Sequence, residues 1–261
     1  AHQRVGLLNW TTKTKIIVEK LCTYLPNDSE LEVFVSALND EMENAKQSLA
    51  KSYPRIKISI KVIDFNELKE LEFINPLSFD SILILSPGGS TIEEMDAYVI
   101  SLLIRIRQLL IASTDGKNKN HKSHKLITEV MDSENIDIIL NSGVEDFMVS
   151  NQFVSQIMAQ VSEEPLALDV YDDLFRADGS EIYIKPASNY FDFSETDSIS
   201  IQYGECMQAA QLRNEIILGL QFYEEQKNKE NMFGIKLIPD KREVFTISSK
   251  DGFVSLAQDE G

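Results

Sequence analysis

Short apolar runs alternate with amphipathic stretches along the first part of the chain. Six runs have the length and composition of buried strands: RVGLLN, ELEVFVSAL, IKISIKVI, FDSILILS, HKLITEVM and VEDFMVS. Between them, residues 12–25 and 92–112 repeat apolar side chains at helical spacing. Strands that alternate with helices favour a parallel sheet with right-handed crossovers. We therefore predict an α/β fold with a Rossmann-like lobe over residues 1–149.

The pattern changes in the second part of the chain. Residues 150–164 continue as an amphipathic helix, and Pro165 separates it from a second helix. We predict a kinked crossover helix pair over residues 150–178. After an Asp-Gly turn, four runs alternate apolar and polar residues: SEIYIKP, SISIQY, NEIILGLQFY and EVFTISSKDGFVSLA. These runs predict a small β-rich C-terminal lobe over residues 179–261.

The net charge of the chain argues against some classes of binding partner. The 261 residues include 42 acidic and 25 basic side chains, so the formal charge is −17. This charge repels the phosphates of nucleic acids and anionic lipid surfaces. The most apolar stretch, residues 98–112, carries Arg105 and Arg107, which indicates a buried helix rather than a membrane span. Cys22 and Cys206 lack metal-binding spacing and are typical of free thiols in the cytosol.

The first residues of the given sequence lead to two expectations. We expect no secretory signal, because the chain enters the first predicted strand almost at once. The first residue is Ala rather than Met, from which we expect the sequence to be a piece of something longer.

The turn after the first strand lies where a dinucleotide fold places its glycines. The chain instead reads Asn9-Trp10-Thr11-Thr12-Lys13, with a bulky indole where the backbone would approach a pyrophosphate. This sequence argues against NAD as a cofactor. Asn9 and Trp10 remain candidates for lining a ligand crevice. A threonine in the turn is expected to cap the helix, and Lys13 is expected to be solvated.

The loop SPGGSTIEE follows the fourth strand and opens the long helix. Backbone N–H groups at Gly88 and Gly89 are placed to meet an anion there, and Asp96 is one turn into the helix. The alternative is purely structural, since Thr91 and Glu94 fit a capping box and Pro-Gly-Gly fits a turn.

Acidic residues are dense between residues 163 and 181, from within the predicted helix pair to the start of the β-rich lobe. Three of them recur at i, i+3 and i+4 of a helix, so their carboxylates share one face. Hard cations such as Ca²⁺ prefer oxygen ligands of this kind, and a solvated face is the alternative. The candidate metal ligands are Asp169, Asp172, Asp173, Asp178 and Glu181.

An enzymatic site is not indicated by the sequence. No GxSxG, HExxH, CxxC or Walker A pattern is present. His2 lies at the start of the chain, and His121 and His124 lie in a polar, Lys-rich loop, so no histidine is placed as a general base.

Several longer segments, taken in order, resemble one family. They are GLLNW at the first strand and tryptophan turn, FDSILILS, ITEVMDSEN, DFMVSNQFVSQIMAQVSEE, LFRADGSEIYIKPASNY and RNEIILGLQF. The chain is similar to the second, C-terminal RCK domain of the CASTOR/POLLUX ion channels. The likeness covers nearly the whole chain. It departs at SPGGSTIEEMD, where the plant proteins have a more acidic loop, and at the Lys-rich residues 117–125.

The resemblance implies a cytosolic gating module of a cation channel rather than an enzyme. RCK domains of this family pair through the crossover helices and form a ring beneath the pore, and calcium is the ligand in the plant members. For this chain the resemblance implies a homo-oligomer or a pair with another RCK domain. It also implies a location on the cytoplasmic side of a membrane, with contact to that membrane only through the pore module. Packing within the chain is the alternative for the implied interface residues, which are Phe153, Ile157, Met158, Val161, Leu166 and Val170.

Two other functions remain open at this stage. A separately encoded, nucleotide-binding regulator of a potassium transporter predicts an adenine nucleotide in the crevice. A nucleotide-using enzyme requires a set of catalytic groups that the sequence does not display.

Overall fold

The computed structural model describes residues 2–89, 91–114, 125–132, 147–176, 178–226, 228 and 230–258. The chain divides into two compact units, Ala1–Glu163 and Glu164–Gly261. His121 and His124 of the polar loop lie outside the described residues. Within the described part of the chain, every helix is too short or too polar to cross a bilayer.

The first unit is built on a six-stranded parallel sheet. Its strands are β1 (Arg4–Leu8), β2 (Glu30–Val35), β3 (Lys57–Val62), β4 (Ser81–Ile84), β5 (Lys125–Val130) and β6 (Phe147–Val149). The order across the sheet is β3-β2-β1-β4-β5-β6, and each pair of neighbours runs parallel. The order reverses between β1 and β4, as in doubly wound folds. The predicted Rossmann-like α/β lobe is confirmed.

Within the described residues, four helices connect these strands and bury apolar side chains against the sheet. They are α1 (Thr14–Tyr24), α2 (Asp40–Ser52), α3 (Leu68–Ile74) and α4 (Ile92–Thr114). A further helix, α5 (Ser150–Glu163), follows β6, and none of its side chains over residues 151–163 is buried. In one buried cluster, Val99 and Leu103 of α4 join Ile84 of β4. In a second cluster, Val18 of α1 and Leu49 of α2 join residues of β1 and β2. Two separate cores of this kind are expected when helices cover both faces of a parallel sheet.

The second unit is a β-rich lobe, as the alternating pattern predicts. Its elements are α6 (Ala167–Leu174), β7 (Glu181–Pro186), β8 (Ser198–Gln202), α7 (Tyr203–Gln211), β9 (Ile216–Gln221), β10 (Ile235–Leu237), β11 (Val244–Ser248) and β12 (Gly252–Ala257). One antiparallel sheet has the order β10-β9-β12-β7, and β8 pairs with β11 in a second. The hydrophobic pattern did not predict α7 or β10.

Helix α7 packs into the core of this lobe. Tyr203 and Cys206 of the helix are buried with Ile217, Leu220 and Phe253 of the larger sheet. The Tyr203 hydroxyl donates a hydrogen bond to the Ile217 carbonyl at 2.9 Å, so its polar end is satisfied. Burial raises the pKa of the Cys206 thiol to about 11. The thiol is therefore neutral at physiological pH.

A buried ionic network lies in the same lobe. Glu215 precedes β9, and its Oε1 is 3.1 Å from Nζ of Lys185 in β7 and 3.3 Å from Nε of Arg213. The Tyr190 hydroxyl donates to the other carboxylate oxygen. Burial works to raise the pKa of Glu215, but the donors from Tyr190 and Lys185 outweigh it and hold that pKa below its ordinary value. The ionised carboxylate therefore ties β7 to the start of β9.

Candidate functional site

A crevice opens in the first unit where four parallel strands end. It is lined by the segments that follow β1, β2 and β4, and by residues at the end of β5. In open α/β sheets this edge, next to the reversal of strand order, is the usual place for a ligand. The cavity measures about 450 Å³.

Asn9 holds the opening turn in place rather than facing a ligand. It is 7% exposed and has a φ of 79°, in the left-handed region that Asn tolerates better than most residues. Its Nδ2 donates to the Leu85 carbonyl at 2.8 Å, and its Oδ1 accepts the Tyr98 hydroxyl at 3.1 Å. Burial raises the pKa of Tyr98, which keeps this donor protonated. The half-buried Trp10 follows and lines the crevice.

A lysine just before α1 forms an ion pair with a glutamate at the edge of the crevice. Lys13 is half exposed, as expected of a solvated lysine, and its Nζ also lies 2.6 Å from Oε1 of Glu129 in β5. The other carboxylate oxygen accepts the Ser86 backbone N–H at 3.2 Å. Glu129 is 7% exposed, and a carboxylate at that depth requires such donors. Thr11 stabilises the backbone of this turn, since its Oγ1 accepts the Lys13 N–H at 3.2 Å.

The glycine loop after β4 is only partly a crevice wall. Gly88 lines the cavity, and a Cβ added there would meet no atom within 4 Å. A Cβ at Gly89 would lie 2.7 Å from Cγ of Met95, so this glycine makes room for a side chain of α4. Thr91 Oγ1 accepts the Glu94 N–H at 3.2 Å, as a helix cap does.

Asp96 has a structural role at the start of α4. It is 1% exposed, and its two carboxylate oxygens accept the backbone N–H groups of Met131 and Asp132 at 2.8 and 2.9 Å. The side chain therefore joins the first turns of α4 to the end of β5. Neither Asp96 nor Asn9 is among the residues that line the crevice.

The acidic residues of the second unit are dispersed. Asp169 and Asp172 are exposed. The other three predicted ligands accept hydrogen bonds from neighbouring groups: Asp173 from the Ser180 N–H at 3.2 Å, Asp178 from Arg176 at 2.8 and 2.9 Å, and Glu181 from the Tyr183 hydroxyl at 2.7 Å. The Arg176 guanidinium holds the pKa of Asp178 below its usual range. Among the described residues, no three carboxylate, histidine or cysteine side chains gather as metal ligands. Calcium at this corner stays a prediction that the arrangement fits poorly.

Helices α5 and α6 each expose apolar side chains. Within α5, Phe153 is 45% and Met158 68% exposed, while Ile157 and Val161 are half-buried. Leu166, just before α6, is 71% exposed. Val170 within that helix is 60% exposed, and none of the side chains over Ala167–Leu174 is buried. Apolar surface of this extent on one protein commonly marks an interaction site.

Comparison with known proteins gives a consistent set of relatives. The chain is 26% identical over 242 residues to the ion channel CASTOR of Lotus japonicus, a match that covers 83% of this chain and 28% of that protein. It is 24% identical over 284 residues to a probable ion channel CASTOR of Oryza sativa subsp. japonica, covering 99% of this chain and 31% of that protein. A probable ion channel POLLUX of Arabidopsis thaliana is 23% identical over 244 residues, with 83% and 29% covered.

These matches confirm the resemblance to the CASTOR/POLLUX ion channels, at modest identity. The chain spans about three tenths of the length of these relatives. No protein-family model matches the chain. A solved NADPH-dependent 3-quinuclidinone reductase from Rhodotorula rubra aligns with a TM-score of 0.35 and 11% identity, covering 49% of this chain and 51% of that one, a likeness too low to bear on function.

Proposed function

We propose that this chain is a regulatory RCK domain of a CASTOR/POLLUX-like cation channel, which couples ligand binding to opening of a pore. The observation that carries the proposal is the similarity to named ion channels along as much as 99% of the chain. The parallel-sheet unit followed by a β-rich unit agrees with the architecture that the resemblance implies. On this proposal the domain lies on the cytoplasmic side of a membrane and performs no catalysis.

The exposed apolar sides of α5 and α6 support assembly of such domains. A ligand biases a pore only if it binds one arrangement of the domains more tightly than another, so the domains must contact one another. Burying a large apolar side chain contributes about 1.5 to 3 kcal/mol. Several exposed side chains on two helices therefore offer enough free energy to hold two copies together.

The first experiment measures the mass of the chain in solution. Analytical ultracentrifugation over a range of concentrations should give a dimer or a larger assembly. Met158→Glu and Val170→Glu should shift it towards the monomer. Leu212→Glu is the matched control, because Leu212 is 90% exposed but lies outside both helices. A chain that stays monomeric at all concentrations would contradict the assembly step.

The second experiment addresses the pore. The full-length protein that contains this chain, reconstituted into liposomes, should conduct cations, and calcium should change the flux. Calcium is the ligand that the resemblance implies, and its effect on flux tests that implication directly. A flux of zero in the presence and absence of calcium would contradict the channel role.

A further inference from the structure

The crevice of the first unit has a largely apolar wall. A cavity of about 450 Å³ is within the range of small-molecule sites. Its apolar lining residues are Trp10, Met42, Pro87, Met95 and Met131. Thioethers and an indole adapt to flat or aliphatic groups. The wall therefore suits a ligand with an apolar body rather than a hydrated ion alone.

The polar end of the cavity already contains an anion, which is the carboxylate of Glu129. It accepts the Lys13 ammonium at 2.6 Å and the Ser86 backbone N–H at 3.2 Å. Lysine side chains and backbone N–H groups after a strand are the donors that hold phosphates in folds of this topology. The Glu129 carboxylate therefore takes up the donors that a phosphate would need.

The charge around the cavity favours a cation. The charged lining residues are Lys13, Glu41 and Glu129, and because Lys13 pairs with Glu129, the described lining has an excess of one negative charge, from Glu41. Glu41 is exposed at the cavity, and the net charge of −17 raises the local concentration of cations further. Trp10 offers an aromatic ring to a positive group. The buried Ser86 hydroxyl has no hydrogen-bond partner within the described part of the chain.

We propose that this crevice binds a small organic cation with an apolar body, of the arylalkyl-ammonium class, and rejects phosphates. Glu129 is the residue that determines the preference for a cation over a phosphate. The cation approaches Glu129 and Glu41 with its ammonium group and places its body against Trp10 and the methionines. The effect of the ligand on a pore rests on the proposed function, whereas its binding is a property of this chain alone.

Trp10 supplies the readout, because it is the single tryptophan of the chain and lines the cavity. Its emission is recorded while phenethylammonium chloride is added, and calorimetry measures the same titration. Hydrocinnamate is the size-matched anion, and inorganic pyrophosphate and ADP are the phosphate probes. We expect phenethylammonium to bind at least tenfold more tightly than any of the three anions.

Two substitutions move the preference in opposite directions. Glu129→Gln keeps an acceptor for the Ser86 N–H but removes the charge, so phenethylammonium should bind about tenfold more weakly and pyrophosphate more tightly. Lys13→Met changes a half-exposed side chain and releases Glu129, so the cation should bind more tightly. Glu30→Gln is the control, since Glu30 is a glutamate of the same sheet that pairs with Lys57 away from the cavity.

Each outcome decides the inference. Tighter binding of ADP or pyrophosphate than of phenethylammonium to the unaltered chain would overturn it. So would the absence of any emission change or heat with phenethylammonium, or an unchanged preference in both Glu129→Gln and Lys13→Met. Assembly and ion flux are measured separately, so the proposed function and this ligand class can fail independently.

Discussion

Removing the charge of Glu215 should destabilise the second unit strongly. The side chains of Lys185 and Glu215 are only 3% and 5% exposed, with 3.1 Å between the two charged atoms. Taking one partner from a buried ion pair costs about 3 to 5 kcal/mol, because the other charge stays in a poorly hydrated site. Glu215→Gln keeps one acceptor oxygen, which can serve Lys185 and Arg213 but not also Tyr190. The Tyr190 hydroxyl donates to the other oxygen, so we expect a loss of about 3 to 5 kcal/mol.

Lys185→Met removes the other partner of this ion pair and should lower the free energy of unfolding by a smaller amount. In Lys185→Met the carboxylate keeps the Arg213 and Tyr190 donors, so we expect a loss of about 1 to 2 kcal/mol. The double variant should lose less than the sum of the single variants, since the two side chains contact each other. Glu243→Gln is the exposed control, because its partner Lys236 is 45% exposed and such pairs contribute about 0 to 1 kcal/mol.

The assay is urea unfolding followed by circular dichroism and by tryptophan emission. Trp10 belongs to the first unit, so its emission follows that unit, whereas the circular dichroism follows both units together. A loss confined to the second unit should therefore appear in the dichroism as a transition at lower urea than the one that Trp10 reports. If Glu215→Gln lowers the free energy of unfolding no more than Glu243→Gln does, the network is not a stabilising element and the reasoning fails.

The pH dependence provides a second check on the same network. The pKa of Glu215 is lower in the folded chain than its ordinary value. Its contribution to stability is therefore present above the ordinary carboxyl pKa, about 4.3, and is lost as pH falls through the lower folded value. Glu215→Gln should flatten this acid limb. If the stability of the variant falls with decreasing pH as steeply as that of the unaltered chain, other carboxylates are responsible for the pH dependence.

Three further predictions concern buried polar groups and thiols. Asp96→Asn leaves one acceptor oxygen for two backbone N–H groups, so thermal unfolding monitored by Trp10 emission should show a loss of about 1 to 3 kcal/mol; an unchanged melting temperature would contradict the bridge. Asn9→Gly preserves the left-handed turn but removes the side-chain bonds, whereas Asn9→Ala loses both, so Ala should be the more destabilising of the two in the same melt. Cys22 and Cys206 are buried with pKa values raised to about 11 by burial, so a thiol reagent at pH 8 should label neither until urea is added; rapid labelling of the folded chain would show that at least one thiol is accessible.

Local patterns were enough to predict the parallel sheet. Each strand of the first unit is a short apolar run, and each run ends in a turn or at a helix start, so the order of elements follows from neighbouring residues. The same reasoning missed β10 and α7. Strand β10 has three residues and forms because β9 offers it an edge, while α7 reads YGECMQAAQ and shows its apolar side only against the core.

The composition of the crevice was only partly predictable. Trp10 and Gly88 were identified from their place after strands, and both line the cavity. Glu129 was missed, although a single acidic residue within the apolar run LITEV signals a buried charge with a partner. That partner, Lys13, lies 116 residues earlier, and periodicity carries no information on a contact over such a separation. Long-range polar pairs are fixed by the sheet topology.

The exposed apolar sides of α5 and α6 determine how an assembly held by them responds to temperature and salt. Apolar association weakens on cooling, because its driving force near room temperature is entropic. Copies that each carry a charge of −17 also repel one another, and added salt screens this repulsion without weakening the apolar contacts. An oligomer of this chain should therefore dissociate in the cold and at low ionic strength, the reverse of a complex held by ion pairs.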